Sequence, residues 1–386
     1  MQSNISPMST TMDDAHYSSY NYFDCNCTNL NYTACTCLST TQQQTAVDIL
    51  FYILIWSLWF ITIAGNVLTI TVFIRDPQLR SKPANLLILN LCIADLLIGV
   101  NSLTFTNLKI HFDDFWIFGE VMCKIYQILD FSASTQSAFA ITLISFDRLL
   151  LVTTGVQYKK YMTAFRAKIG IGLSWFIAFN LFFIPILVSD YVIERWVETY
   201  SGIWGDCDFA ILYEQWYKIF LLVVTFIIPL LLLIVFNSIV YHNVRMRSIG
   251  QTRHGSCKMG TSLSSSQNNR GSSDFKKHRK AAITLAVIVV TFVFCWIPLW
   301  IKEFITDFLN HLESDFWLFN TDACAYLSWS NSAVNPFLYA ATNPRIRAGL
   351  SALLCCSRRP SYGASRYWDL YCIDFTPCKV VWFSFY

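Results

Sequence analysis

Charge is what this sequence has least of. Of 386 residues only 14% are Asp, Glu, Lys or Arg, while 54% are apolar. A soluble chain of this length needs more charge to cover its surface. The charges nearly cancel, to a formal +3, which is too little for a nucleic-acid binder. The apolar blocks lack the polar alternation of a membrane β-barrel, which excludes that architecture. There is no internal repeat of the kind that transporters often carry. Within the blocks there is no nucleophile–base pair and no metal-ligand cluster, so an enzyme is disfavoured. No basic stretch precedes a short apolar core, so no cleaved leader is expected and the first block should act as the signal anchor.

What is present is seven long apolar blocks, at about 48–74, 84–105, 123–152, 169–188, 216–241, 281–305 and 316–341. Each approaches the roughly 20 residues that a helix needs to cross the hydrocarbon core. The expected fold is an all-α membrane protein, a seven-transmembrane helix bundle. Lys and Arg set its orientation. Arg75, Arg80 and Lys82 follow the first block, Lys159, Lys160, Arg166 and Lys168 the third, and nine basic residues from Arg245 to Lys280 the fifth. The opposite links are acidic, with Asp113, Asp114, Glu120, Asp190, Glu194, Asp206 and Asp208 among their residues. The amino terminus is therefore expected outside and the carboxyl terminus inside.

Four regions follow. Residues 1–46 form an extracellular tail, 47–342 the bundle, 343–354 an amphipathic helix on the membrane surface, and 355–386 a cytoplasmic tail. In the first, Asn4, Asn26 and Asn31 each open an Asn-X-Ser/Thr glycosylation triplet. Cys25, Cys27, Cys35 and Cys37 are expected to form disulfides whose pairing the sequence leaves open. Cys123 and Cys207 lie at outer ends of spans and could bridge. Cys355 and Cys356 stand where thioester palmitoylation is expected.

Polar groups at membrane depth point to function by default. Asp95, Ser137, Asn331, Ser332 and Asn335 could share a hydrated cavity. One carboxylate among neutral oxygens suits a small hard cation such as sodium, and the same groups would serve equally as helix–helix hydrogen bonds. Asp130 stands about two turns into the third span, with few Lys or Arg partners in the sequence. A cationic ligand would compensate its charge; a protonated carboxyl or a salt bridge is the alternative. Tyr126, Phe131, Trp296, Trp300, Tyr326 and Trp329 fall at similar outer depth, and aromatic walls suit an ammonium, although an aromatic stripe is also an ordinary packing or interfacial belt. Asp147-Arg148 marks the inner end of the third span.

These residues, in order, resemble the rhodopsin-like (class A) G-protein-coupled receptors. The likeness rests on Gly65-Asn66-Val67, on Leu91, Ala94 and Asp95, and on Trp116, Phe118 and Gly119. It continues through Cys123, Asp147-Arg148, Trp175 and Pro229 to Phe292, Cys295, Trp296 and Pro298. It ends on Asn335-Pro336-Phe337-Leu338-Tyr339. It spans roughly residues 47–354. The resemblance implies an activation switch at Asp147, Arg148, Phe292, Pro298, Pro336 and Tyr339, and no catalytic residues. It also implies a plasma-membrane location and partners comprising a heterotrimeric G protein, arrestin, receptor kinases and membrane lipid. No cofactor is expected beyond an allosteric sodium ion.

Asp130 lies eighteen residues before Arg148, where aminergic receptors carry their amine-binding aspartate. Leu143–Arg148, Glu214-Gln215-Trp216-Tyr217 and the stretch from Trp329 to Pro336 look closest to histamine receptors of types three and four. The implied function is a receptor for a small protonated, histamine-like amine, signalling through an inhibitory G protein. The implied ligand site is Asp130, Tyr126, Phe131, Ser134, Thr225, Trp296, Leu299, Trp300, Tyr326 and Trp329. Two departures matter. Thr225 stands where those histamine receptors carry a glutamate, and Leu299 replaces an aromatic. A muscarinic-like or trace-amine-like receptor, or one that has lost amine binding, is the alternative. An opsin is not: opsins need a seventh-span lysine, and Trp329 occupies that position.

Overall fold

At membrane depth the backbone finds no water to bond, so apolar segments of this length coil into helices that satisfy their own amides and carbonyls. The computed structural model describes residues 25–26, 36–37, 41–112, 115–192, 207, 211, 214–255, 286–303 and 321–355. Among these are seven long helices: α1 (Thr41–Arg75), α2 (Pro83–His111), α3 (Gly119–Thr154), α4 (Ala164–Val192), α5 (Gln215–Met246, helical on to Gly255), α6 (Ala286–Glu303) and α7 (Thr321–Thr342). A short α8 (Pro344–Cys355) follows. The expected bundle is what the chain forms.

The first six of the long helices are apolar enough to cross a membrane by composition. The seventh is more polar because Ser328, Asn331, Ser332 and Asn335 are all buried along it. Helix α1 begins at Thr41, ahead of the expected boundary at residue 47. The chain divides into two units, Met1–Leu54 and Ile55–Tyr386. In the first, a two-stranded antiparallel hairpin pairs β1 (Cys25–Asn26) with β2 (Thr36–Cys37), and its register sets Cys25 opposite Cys37. Asn4, Asn31, Cys27 and Cys35 lie outside the described residues, as do Cys356 and the acidic links at 113–114 and 193–206.

Local signals explain the helix ends in the second unit. Asp76 accepts the amide of Gln78 at 3.1 Å and starts a one-turn helix, Pro77–Arg80, in the first inner link. Pro83 opens α2 and Pro344 opens α8, each at a first-turn position where the missing N–H has no partner to lose. Gly155, at φ +53°, ends α3 in a conformation that a side chain would strain. Two π-helical stretches, Ile98–Leu103 in α2 and Leu222–Ile227 in α5, each widen a turn and re-aim the outer part of the helix.

Helix α3 is the packing centre and contacts α2, α4 and α5 along its length. The main core runs along the inner half through Leu87, Leu91, Ile141, Leu233, Phe292 and Tyr339. A second cluster, with Trp116, Ile128, Phe182, Ile186 and Tyr217, closes the outer end around the disulfide Cys123–Cys207. Outward faces carry Phe60, Phe165, Phe176 and Phe294, exposed as lipid-facing residues are.

Helix α8 docks on the inner end of α1. Ile346 and Leu350 are buried in the main core, and Arg345 donates to Asp76 at 2.5 and 3.2 Å and to Gln78 at 2.6 Å. Gly349 permits this approach, because a Cβ there would lie 2.5 Å from Cγ1 of Val72. Alanine normally favours a helix interior by about 1 kcal/mol over glycine. Here Gly349→Ala is expected to destabilise instead, by about 1–3 kcal/mol of overpacking. In a Val72→Ala background the same change should become neutral or stabilising. Thermal unfolding of the four proteins in detergent measures the coupling, and additive effects would refute the contact.

Candidate functional site

Residues four apart share a helix face. Tyr126, Asp130 and Ser134 are so spaced on α3, and Ser137 continues the face inward. This stripe meets α2 and α7, and it carries polar groups at two depths.

The deeper group centres on Asp95, which is completely buried. Its Oδ1 accepts from the hydroxyls of Ser332, at 2.8 Å, and Ser137, at 3.3 Å, and its Oδ2 accepts from Nδ2 of Asn335 at 2.8 Å. One carboxylate thus ties α2 to α3 and α7. Asn66 adds α1, donating to the carbonyls of Thr62 and Ser332 at 2.9 and 3.1 Å. The amide oxygens of Asn331 and Asn335 are buried without a hydrogen-bond partner among the described residues. Four of the five expected cation ligands are therefore in mutual contact, and Asn331 is buried with an unpaired oxygen. The donor set, one carboxylate with hydroxyl and amide oxygens, is chemically suited to a sodium ion.

The outer group centres on Asp130. It is buried, its Oδ1 has no hydrogen-bond partner among the described residues, and Ser102 and Trp329 are polar side chains that approach it. Tyr126, one turn outward, is held at its hydroxyl by Thr106, 2.9 Å away, and at its carbonyl by Nδ2 of Asn101 at 3.0 Å. Tyr326 donates to Oδ1 of Asn107 at 2.5 Å and meets Trp329 edge-on at 5.5 Å. The predicted Asp130, Tyr126, Tyr326 and Trp329 thus lie along the meeting of α2, α3 and α7.

The other expected wall residues lie toward α4, α5 and α6. Phe131 stacks on Phe182 of α4, with ring centroids 5.2 Å apart. Trp296 packs on Phe292 at 5.6 Å, and Phe292 on Phe226 at 6.4 Å. Trp300 stacks on Phe226 at 5.9 Å. The indole N–H groups of Trp296 and Trp300 are buried without partners. Thr225 is buried and donates its hydroxyl to its own helix, at the carbonyl of Leu221, 2.8 Å away. Ser134 is buried and Leu299 half-buried. The outer rim is closed by Gln127, which donates to the carbonyl of disulfide-bonded Cys207 at 2.7 Å.

At the inner end Asp147 accepts from the hydroxyl of Tyr158 at 2.5 Å, while Nε of Arg148 lies 3.9 Å from its Oδ2. Tyr339 is buried, with its hydroxyl unpartnered. Pro336 sits inside α7 without ending it, and Pro298 is half-buried in α6. Asn26 falls in β1 and Cys355 at the last residue of α8.

Contributors that escaped the sequence reading include Ser102, Asn107 and Tyr158. The first two had a signal, since Asn101-Ser102 and Asn107 are polar residues near an apolar span that already holds Asp95. Tyr158 had none, because its partnership depends on how the second inner link folds back.

A profile described as "7 transmembrane receptor (rhodopsin family)" matches residues 65–339. The chain is 30% identical to the "5-hydroxytryptamine receptor 4" of Cavia porcellus, over 78% of this chain and 79% of that one. It is 29% identical to the "D(1)-like dopamine receptor" of Takifugu rubripes, over 78% and 68% respectively. It is likewise 29% identical to the "Trace amine-associated receptor 7e" of Mus musculus, over 75% and 78%.

Removing the Asp95 carboxylate strands three donors that face it. Asp95→Ala is expected to cost about 2–5 kcal/mol, and Asp95→Asn, which keeps an acceptor, clearly less. Thermal unfolding in detergent at fixed salt makes the comparison. Equal losses would mean that the acceptor is not what these donors need.

Proposed function

We propose that this chain, which belongs to the rhodopsin family of seven-transmembrane receptors, is switched by a small protonated amine held at Asp130. One observation carries the reading: Asp130 is buried at the outer half of α3 with a carboxylate oxygen unpaired among the described residues. A buried carboxylate without a partner is costly, and an ammonium supplies both the charge and the hydrogen bond. Tyr126, Tyr326 and Trp329 offer aromatic faces to the same cation. The three relatives are named as receptors for 5-hydroxytryptamine, dopamine and trace amines.

The ring of the ligand rests against Trp296, Trp300 and Phe226. Thr225 offers no carboxylate to accept from an imidazole N–H and spends its own proton on its own helix. An amine whose ring needs no such acceptor therefore suits this wall better than histamine does. The stretches resembling histamine receptors of types three and four support coupling to an inhibitory G protein. Arrestin and receptor kinases are the further partners proposed, at the plasma membrane, with the amino terminus outside.

The mechanism is a two-state switch. Amine on Asp130 draws the outer ends together around Trp296. Pro298 and Pro336 remove backbone hydrogen bonds and leave α6 and α7 deformable there. The inner end of α6 swings outward. Tyr339, whose hydroxyl has no partner, and Arg148, only loosely held by Asp147, turn into the opened cleft that receives the G protein. Asp95, Ser137, Asn331, Ser332 and Asn335 would hold a sodium ion, whose charge offsets Asp95 in the inactive state.

A panel of biogenic amines on cells expressing the receptor tests the reading. At least one amine should activate it, and Asp130→Ala should lower that potency at least about thirtyfold, the loss expected when one member of a buried charge pair is removed. Equal responses of the variant and the wild type would defeat the assignment. Replacing sodium by N-methylglucamine at constant ionic strength should raise agonist affinity in the wild type. It should leave Asp95→Asn unchanged, because coupling between two sites is reciprocal.

A further inference from the structure

Helices α2 and α3 run antiparallel, and two hydrogen bonds fix how they face each other. Asp95 meets Ser137 at 3.3 Å toward the inside, and Thr106 meets Tyr126 at 2.9 Å toward the outside. Seven residues outward from Asp95 is Ser102, and seven outward from Ser137 is Asp130. Four residues inward from Thr106 and from Tyr126 lead to the same two. Steps of four and seven stay on one helix face. Both registers therefore bring Ser102 opposite Asp130, and they agree across the π-helical stretch Ile98–Leu103 that carries Ser102.

The neighbouring polar groups are paired. Asn101 bonds the carbonyl of Tyr126, Thr106 its hydroxyl, and Asn107 the hydroxyl of Tyr326. Among the described residues of this layer, Oγ of Ser102, whose residue is completely buried, and Oδ1 of Asp130 are left without partners, with Trp329 the other polar side chain against the carboxylate. A hydroxyl can donate to a carboxylate and still accept from a third group. Side by side, these two residues present two acceptors to one point.

We propose that Ser102 is a specificity-determining residue that makes this site selective for primary amines. The inference rests on the amine reading of Asp130. A primary ammonium carries three N–H donors and can bond Asp130 and Ser102 together. A tertiary ammonium carries one, which the carboxylate takes. Its methyl groups then lie against the buried hydroxyl oxygen and give it no donor to accept from, the arrangement by which a site built to hydrogen-bond rejects a ligand lacking the donor.

The test uses the full-length receptor and a G-protein dissociation readout. The probes are 2-phenylethylamine and tryptamine, each beside its N,N-dimethyl derivative. Each variant is matched for surface expression. The wild type should favour the primary amines by about tenfold or more. Ser102→Ala should lower primary-amine potency by about that factor and change the dimethyl amines by less than about threefold. Ser102→Thr, which keeps a hydroxyl, should retain the preference. If Ser102→Ala moves both classes equally, or neither, while Asp130→Ala still abolishes the response, the selectivity proposal falls and the amine reading stands. If no amine of the wider biogenic-amine panel, these four included, activates the wild type, the amine reading is refuted and this inference with it.

Discussion

The structure depends on one constraint: inside a membrane, a polar group must find its partner within the protein. Asp95 answers it most fully. Its two oxygens take three donors from α3 and α7, and through Ser332 and Asn66 the connection reaches α1. Four helices are thereby joined at one buried carboxylate. Hydrophobic contact alone could not join them, because lipid is as apolar as the helix faces.

The same constraint makes the outer layer informative by its incompleteness. About two to three turns above Asp95 the pairing of α2 with α3 and α7 repeats, through Asn101, Thr106, Asn107, Tyr126 and Tyr326. At Asp130 and Ser102 it stops short. A buried carboxylate oxygen left unpaired is costly, so this gap is where the proposed amine would contribute its charge and hydrogen bond. Toward α5 and α6 the wall is aromatic, with Phe226, Trp296 and Trp300. The site therefore has a polar side and an apolar side, as an amine with an aromatic body does.

The inner end is built for a different purpose. Helix α8 is fixed to the first inner link by Arg345 and by the close approach of Gly349 to Val72. Asp147 is held by Tyr158, while Arg148 touches it only at 3.9 Å. A firm frame around weakly held Arg148 and Tyr339 gives the inner face groups that can rearrange without the bundle coming apart.

The seven-helix bundle and the burial of Asp95 and Asp130 within it were legible in the sequence, because each follows from local composition. A run of apolar residues cannot be anything but a buried or spanning segment, and a carboxylate within one is conspicuous. The disulfide partners Cys123 and Cys207 were legible from their position at the outer ends of spans. The partners of those carboxylates were not all legible, since they depend on how one helix faces another. The π-helical stretch in α2 decides where Ser102 points, the fold of the second inner link brings Tyr158 to Asp147, and the stacking of Phe131 on Phe182 turns that residue toward α4. Composition determined what must be buried; only the register between helices determined which buried groups meet, because that register is set by side chains far apart in sequence packing in three dimensions.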